Sequence, residues 1–179
     1  MDKLKLIKKY LIFIISIIII GLTFIWNKEI GLKAIDTVKF SFKEMFMVLP
    51  PIFILLGLLD VWVPKDTMVK FMGEDSGIIG ILLAIFLGSA AAGPLYGAFP
   101  VAAIFMKKGV KLTNIFIFIG AWSTTKLPMF LFELTSLGSK FAFTRLAINI
   151  PGILLIAYAV KALLDEEEIK SMYERANYF

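Results

Sequence analysis

Long apolar runs separated by short charged stretches make up most of this chain. The runs cover residues 10–27, 46–62, 78–93, 112–137 and 141–164, with a shorter one at 95–106. About 20 apolar residues in a helix span the hydrocarbon core of a bilayer. The pattern therefore predicts an all-α integral membrane protein with five or six transmembrane segments, depending on how the shorter run is counted.

Two of the runs are interrupted by small or hydroxyl residues and by proline. The interruptions read Gly93-Pro-Leu-Tyr-Gly-Ala-Phe-Pro100 and Ser123-Thr-Thr-Lys-Leu-Pro128. Proline clashes with the carbonyl four residues earlier, so Pro128 would free the Thr124 carbonyl of a continuous helix. Inside a membrane such groups are tolerated only where protein or water covers them. We therefore expect proline-broken or re-entrant helices, and paired interruptions of this kind point to a transport site.

The remaining segments are short. Residues 30–45 have apolar side chains at helical spacing and lysines on another face. This predicts either an interfacial amphipathic helix or an extension of the next span. We expect a single transmembrane permease domain over residues 1–164, with an uncleaved first span, and a short polar C-terminal tail over 165–179.

Composition supports a membrane protein and excludes several kinds of site. Charged residues make up 18% and hydrophobic residues 59% of the chain, whereas soluble domains are about 25% charged. The chain has no cysteine and no histidine, which excludes disulfides and thiolate or histidine metal sites. We expect no metal and no cofactor. Lysines flanking the apolar runs favour contact with the lipid bilayer over binding to nucleic acid.

Lys126 is the first candidate for chemistry, because it lies well inside an apolar segment. An ionisable residue at such depth is costly and marks a functional site, unless its long side chain reaches an interface. Glu133 follows two helical turns later, so the two side chains could face one pathway as a charge-compensated pair. In that arrangement Lys126 would meet an anionic substrate, or Glu133 would carry a proton or a cation.

The other candidate substrate-binding residues are polar or small groups of the interruptions and one amide in the last span. They are Tyr96, Gly97, Ser123, Thr124, Thr125 and Asn149. The hydroxyl groups could offer oxygens to a solute or satisfy backbone groups that proline frees. The small residues from Gly88 to Gly93 allow another backbone to approach closely, which a simple packing seam also explains.

The two interruptions, in this order and spacing, resemble the motifs of a known family. Gly93-Pro-Leu-Tyr-Gly-Ala-Phe-Pro-Val-Ala102, Lys107-Lys-Gly109 and Gly120-Ala-Trp-Ser-Thr-Thr-Lys-Leu-Pro-Met129 look like the predicted permease family that includes the organoarsenical efflux permeases. The resemblance implies a multi-pass protein of the inner (plasma) membrane. Many members consist of two related halves and this chain resembles one half, which implies a homodimer. Where many long members have a Cys-Ser-Cys-Gly element, this chain has Pro94-Leu95-Tyr96, so thiol binding of arsenic is not implied.

These features are compatible with three functions. The favoured one is a secondary or efflux-type permease that moves a small solute or ion through a site formed by both interruptions. A non-transporting scaffold or accessory subunit would instead pack the interruptions shut. Ser123 and Lys126 have the Ser-x-x-Lys spacing of a hydrolytic dyad, but we do not expect an enzyme because the region resembles a permease.

Overall fold

The structure is a computed structural model that describes residues 3–91 and 93–177. These residues form helices and no strands, which confirms the prediction of an all-α chain. The α-helices are α1 (Lys3–Trp26), α2 (Lys28–Trp62), α3 (Lys65–Met72), α4 (Gly77–Ala90), α5 (Ala98–Lys107), α6 (Leu112–Thr124), α7 (Leu127–Ser136), α8 (Ser139–Leu163) and α9 (Glu166–Ala176). Two 3₁₀ turns, Glu74–Ser76 and Leu95–Gly97, precede α4 and α5.

Two helical stretches in the described residues are long and apolar enough to cross a membrane. They are Leu112–Ser136, which comprises α6 and α7, and Ser139–Leu163, which is α8. A third stretch, Lys65–Met72 with Glu74–Ala90, passes the same test as a pair but is bent by 49°. The structure thus supports two or three candidate spans, and the expected five or six are not confirmed.

Residues up to Pro50 form one compact unit, in which α1 is followed directly by α2. The Asn27 side chain caps α2 by accepting hydrogen bonds from the backbone N–H groups of Glu29 (3.0 Å) and Ile30 (3.3 Å). Residues 30–45 are helical throughout. Large apolar side chains are exposed along both helices, with Trp26 93% exposed, which suits an apolar surrounding.

The second unit begins at Pro51, and its core contains α4 packed on α6. Gly80, Ala84 and Gly88 recur every fourth residue on the buried face of α4. A Cβ atom at Gly88 would lie 2.5 Å from the Phe118 carbonyl oxygen and 3.0 Å from the Trp122 nitrogen. Small residues at this spacing let two helix backbones approach closely. The close approach expected near Gly88 is therefore confirmed.

Hydrogen bonds show that α4 and α6 run in the same direction. At their beginnings, the Lys111 N–H and the Asn114 amide both donate to the Met72 carbonyl at 2.9 Å. At their ends, Ser89 Oγ lies 2.8 Å from Thr125 Oγ1. We call the end of the second unit that contains residues 63–77 and 107–112 the near end. The opposite end, which contains residues 137–140, is the far end.

The helix α5 returns to the near end, because the Lys108 ammonium just beyond it donates to the Val63 carbonyl. The helices α4 and α5 therefore form a hairpin that begins and ends at the near end and has its tip at residues 93–97. In contrast, α8 runs antiparallel to α6, since Arg145 contacts Thr124 while Ile153 lies beside Gly120.

The C-terminal helix α9 is attached at the near end by Tyr173, whose hydroxyl donates to the Val110 carbonyl at 2.7 Å. Burial, and next the negative charge of Glu74, raise the pKa of Tyr173 to about 12. The hydroxyl therefore stays protonated, and able to donate, at all physiological pH values. Asp165 and Glu168 form a capping box that starts this helix. The polar tail expected from the sequence is thus mostly helical.

The contact at Gly88 predicts the effect of one methyl group. Gly88→Ala should lower the free energy of unfolding by about 1–3 kcal/mol, because the new Cβ meets backbone atoms that cannot rotate away. In Gly152→Ala the new Cβ meets no described atom within 4 Å, so the better helix propensity of alanine should leave stability unchanged or raised. Thermal unfolding of the purified protein in detergent measures both variants. Equal stability of Gly88→Ala and wild type would contradict the close packing of α4 on α6.

Candidate functional site

The two interruptions identified in the sequence meet in the structure. The Lys126 ammonium donates to the Gly93 carbonyl oxygen at 2.8 Å, and the Trp122 indole N–H donates to the same oxygen at 3.4 Å. The hydroxyls of Ser89 and Thr125 form a third contact at 2.8 Å. These contacts join the tip of the hairpin to the point at which α6 ends and α7 begins.

The chain opens between α6 and α7 for local reasons. Pro128 occupies the first turn of α7, where its missing N–H costs nothing. Lys126 precedes that turn with an extended backbone (φ −55°, ψ 133°). The hydroxyls of Thr124 and Thr125 donate to the carbonyls of Gly120 (2.8 Å) and Ala121 (3.0 Å), one turn earlier. Two residues, Thr125 and Lys126, therefore separate the helices.

The carbonyl that Pro128 frees has a partner on α8. Arg145 donates from Nη2 to the Thr124 carbonyl at 3.1 Å, and from Nη1 to the Glu133 carboxylate. The Glu133 side chain is only 6% exposed and that of Arg145 is 26% exposed. One guanidinium thus neutralises a buried acid and satisfies a broken helix end.

The pairing of Lys126 with Glu133 that the sequence suggested is not formed. Glu133 pairs with Arg145, and Lys126 donates to the Gly93 carbonyl. The prediction assumed one helix face through both residues, but the extended backbone at Lys126 turns the chain before α7 begins. In the part of the chain that the structure describes, no carboxylate forms a salt bridge with Lys126.

The other expected site residues are distributed around this junction. Tyr96 lies in the 3₁₀ turn at the hairpin tip and is 41% exposed, while Gly97 beside it is buried. Ser123 lies on the exposed side of α6, and within the described residues it makes no hydrogen bond to Lys126. Asn149 lies half-buried in α8, at the level of the break.

A small cavity lies between α6, α7 and α8, at the level of the break after Thr124. It is lined by Thr124, Thr125, Phe130, Glu133, Ala142, Arg145, Leu146 and Asn149. The cavity has a volume of about 10 Å³, which is enough for about one water molecule. Among the residues that the structure describes, no cluster of acidic side chains could hold a metal ion. The arrangement is suited to hydrogen bonding and charge recognition.

The family model described as "Predicted permease" matches residues 32–178 and so includes both interruptions. The chain belongs to this family of predicted permeases. The resemblance seen in the two motifs is thereby confirmed, and it supports a membrane protein of the permease type. No curated protein and no solved structure matched the chain.

Sequence reasoning missed two important groups of the permease. Neither Arg145 nor the indole N–H of Trp122 is among the candidate groups predicted from the sequence. A signal for Arg145 was present, because an arginine close to the start of an apolar segment, with a buried acid in the preceding one, suggests an ion pair between two helices. No comparable signal marked Trp122, whose role depends on where the hairpin tip lies.

The ion pair between α7 and α8 gives a stability prediction. Glu133→Gln leaves the Arg145 guanidinium without its counter-charge, which should destabilise the permease by about 3–5 kcal/mol. Glu29→Gln is the matched control, because its pair with Lys33 is exposed (76% and 75%) and should contribute at most about 1 kcal/mol. The double variant Glu133→Gln with Arg145→Gln should recover part of the loss. Thermal unfolding in detergent measures the stability of each variant. Similar losses of stability in Glu133→Gln and Glu29→Gln would contradict a stabilising buried ion pair between Glu133 and Arg145.

Proposed function

We propose that this permease is a secondary transporter that moves a small solute or ion through a site formed by residues 93–100 and 123–128. The contact of the Lys126 ammonium with the Gly93 carbonyl is the observation that carries the proposal. Interrupted helices that present backbone and polar side chains at membrane depth are a common way for transporters to bind solutes. Membership of the predicted permease family supports the same conclusion.

The hairpin of α4 and α5 is proposed to enter and leave the membrane on one side. Its arms have 14 and 10 residues, about 21 Å and 15 Å of helix, and both are shorter than a hydrocarbon core of about 30 Å. The stretch from α6 to α7 and the helix α8, at 25 residues each, are long enough to cross completely. Counted with the two N-terminal spans, this gives four complete crossings and one re-entrant hairpin made of two short helices.

Charge favours a cytoplasmic location for the near end. Within the second unit, its basic residues are Lys65, Lys70, Lys107, Lys108, Lys111, Lys161, Lys170 and Arg175, whereas Lys140 lies at the far end. Loops rich in lysine and arginine remain on the cytoplasmic side of an inner membrane. The hairpin then opens toward the cytoplasm, and the tip with its bound carbonyl lies inside the bilayer.

A homodimer is proposed as the working form. Tyr96 and Ser123 lie at the level of the interruptions and are exposed on the surface of the single chain. Lipid tails cannot hydrogen-bond these hydroxyls, so a second copy or a water-filled path must cover them. A dimer would also provide the two related halves that many family members contain.

Lys126→Ala tests the transport site. In proteoliposomes, wild-type protein should show saturable flux of a solute, and Lys126→Ala should reduce this flux about tenfold or more, since a charge-assisted hydrogen bond is lost. Lys140→Ala, which removes an exposed lysine at the far end, is the control and should retain flux. Normal flux in Lys126→Ala at equal reconstitution would exclude Lys126 from the mechanism.

Water access distinguishes the permease from a non-transporting scaffold. Because the chain has no cysteine, single cysteines at positions 96 and 124 can be labelled cleanly with a membrane-impermeant thiol reagent. We expect labelling from at least one side of the membrane. A cysteine in place of Phe86, an exposed apolar residue of α4, should not react. Failure of both site cysteines to react would favour a closed scaffold.

A further inference from the structure

We infer that the solute bound at this site is a small anion, held by the Lys126 ammonium and the Trp122 indole N–H. The inference rests on the proposed function, since it names the class of solute that the same site would take. It goes beyond that function because a permease site of this geometry could in principle accept a cation or a neutral solute. Charge balance and donor geometry argue for an anion.

The charge balance at the interruptions leaves one positive charge. Among the side chains that the structure describes, those charged at this level are Lys126, Glu133 and Arg145, and the last two neutralise each other. In the described part of the chain, Lys126 has only a neutral partner, the Gly93 carbonyl. An unbalanced charge in an apolar surrounding is costly. A bound anion would remove this cost, a cation would increase it, and a neutral solute would leave it unchanged.

The donor geometry suits an oxyanion in particular. The ammonium of Lys126 and the indole N–H of Trp122 converge on one oxygen atom, at 2.8 Å and 3.4 Å. Both groups can only donate hydrogen bonds. Their present acceptor is a neutral backbone oxygen, and hydrogen bonds from a cation to an anionic oxygen are about twice as strong. An anion can therefore compete for the two donors that the Gly93 carbonyl occupies in this structure.

Such competition connects binding to the position of the hairpin tip. Gly93 has a φ angle of 112°, a conformation that glycine adopts at little cost and other residues avoid. An anion that takes the two donors breaks the hydrogen bonds that hold this residue against α6. Within the described residues, the hydrogen bond that then still joins the hairpin to the break after Thr124 is the one between Ser89 on α4 and Thr125. Binding of the anion and release of the tip are thus one event.

Anion binding is measured directly by the fluorescence of Trp122. Trp26 and Trp62, which are 93% and 73% exposed, are replaced by phenylalanine so that Trp122 is the remaining tryptophan. Formate, acetate, phosphate or sulfate then replaces gluconate at constant ionic strength. We expect a saturable change in emission with at least one of these anions. Replacement of sodium by potassium at fixed gluconate should give no change.

Variants locate the binding to Lys126. Lys126→Met should weaken the anion response about tenfold or more, whereas Lys126→Arg, which keeps the charge, should retain it. Lys140→Met is the matched control and should bind like the parent protein. An unchanged response in Lys126→Met would overturn the assignment. If Lys126→Met fails to fold, the parent protein still tests the inference. A response of Trp122 to cations, or no response to any of the anions, would overturn it.

Flux of the same anions, of alkali cations and of neutral polyols is then measured in proteoliposomes. Anion binding with saturable anion flux supports both the inference and the proposed function. Saturable flux of cations or polyols, without an anion response of Trp122, leaves the permease function standing and overturns the anion assignment. Anion binding without flux of any tested solute supports the anion site and contradicts transport. The absence of both signals overturns both.

Discussion

A helix that is interrupted in an apolar surrounding must give its free backbone groups to another part of the protein, and this constraint shapes the second unit. Each interruption is completed by a different element. The Gly93 carbonyl at the hairpin tip accepts from Lys126 and Trp122, and the Thr124 carbonyl at the end of α6 accepts from Arg145. Two irregular segments that would be costly alone are therefore stable together.

The packing of the helices places these groups within reach of one another. Glycine and alanine on one face of α4 bring it against the backbone of α6, so the hairpin tip arrives level with the break after Thr124. The Glu133–Arg145 pair holds α7 to α8 on the other side of that break. Lys126 lies between these two fixed contacts, and within the described residues its one hydrogen-bond acceptor is the neutral Gly93 carbonyl. In the proposed mode of binding, a solute competes with the protein's own carbonyl for these donors rather than entering a large preformed cavity.

Features that depend on local chemistry could be predicted from the sequence, and features that depend on tertiary position could not. The apolar runs predict the helices, Pro128 predicts the break before α7, and the small residues near Gly88 predict a close contact between helices. The predicted partner of Glu133 was wrong, because the two-residue gap at Thr125 and Lys126 turns the chain before α7 begins. The observed partner, Arg145, lies 12 residues later on the next helix. The number of spans could not be predicted either. It depends in part on whether α5 turns back along α4, a long-range feature that the contact of Lys108 with Val63 shows. The described helices support two or three candidate spans.

A disulfide cross-link tests most directly whether the two interruptions meet in the membrane. Ser89→Cys with Thr125→Cys is introduced into the cysteine-free chain, together with a protease site in the turn at Gly109, so that a cross-link keeps both fragments together after cleavage. Mild oxidation in native membranes should join the fragments rapidly, because the two hydroxyl oxygens lie 2.8 Å apart. Ser89→Cys with Ser139→Cys, at the far end, should not cross-link. Free fragments from the first pair, or equal cross-linking of both pairs, would contradict the account.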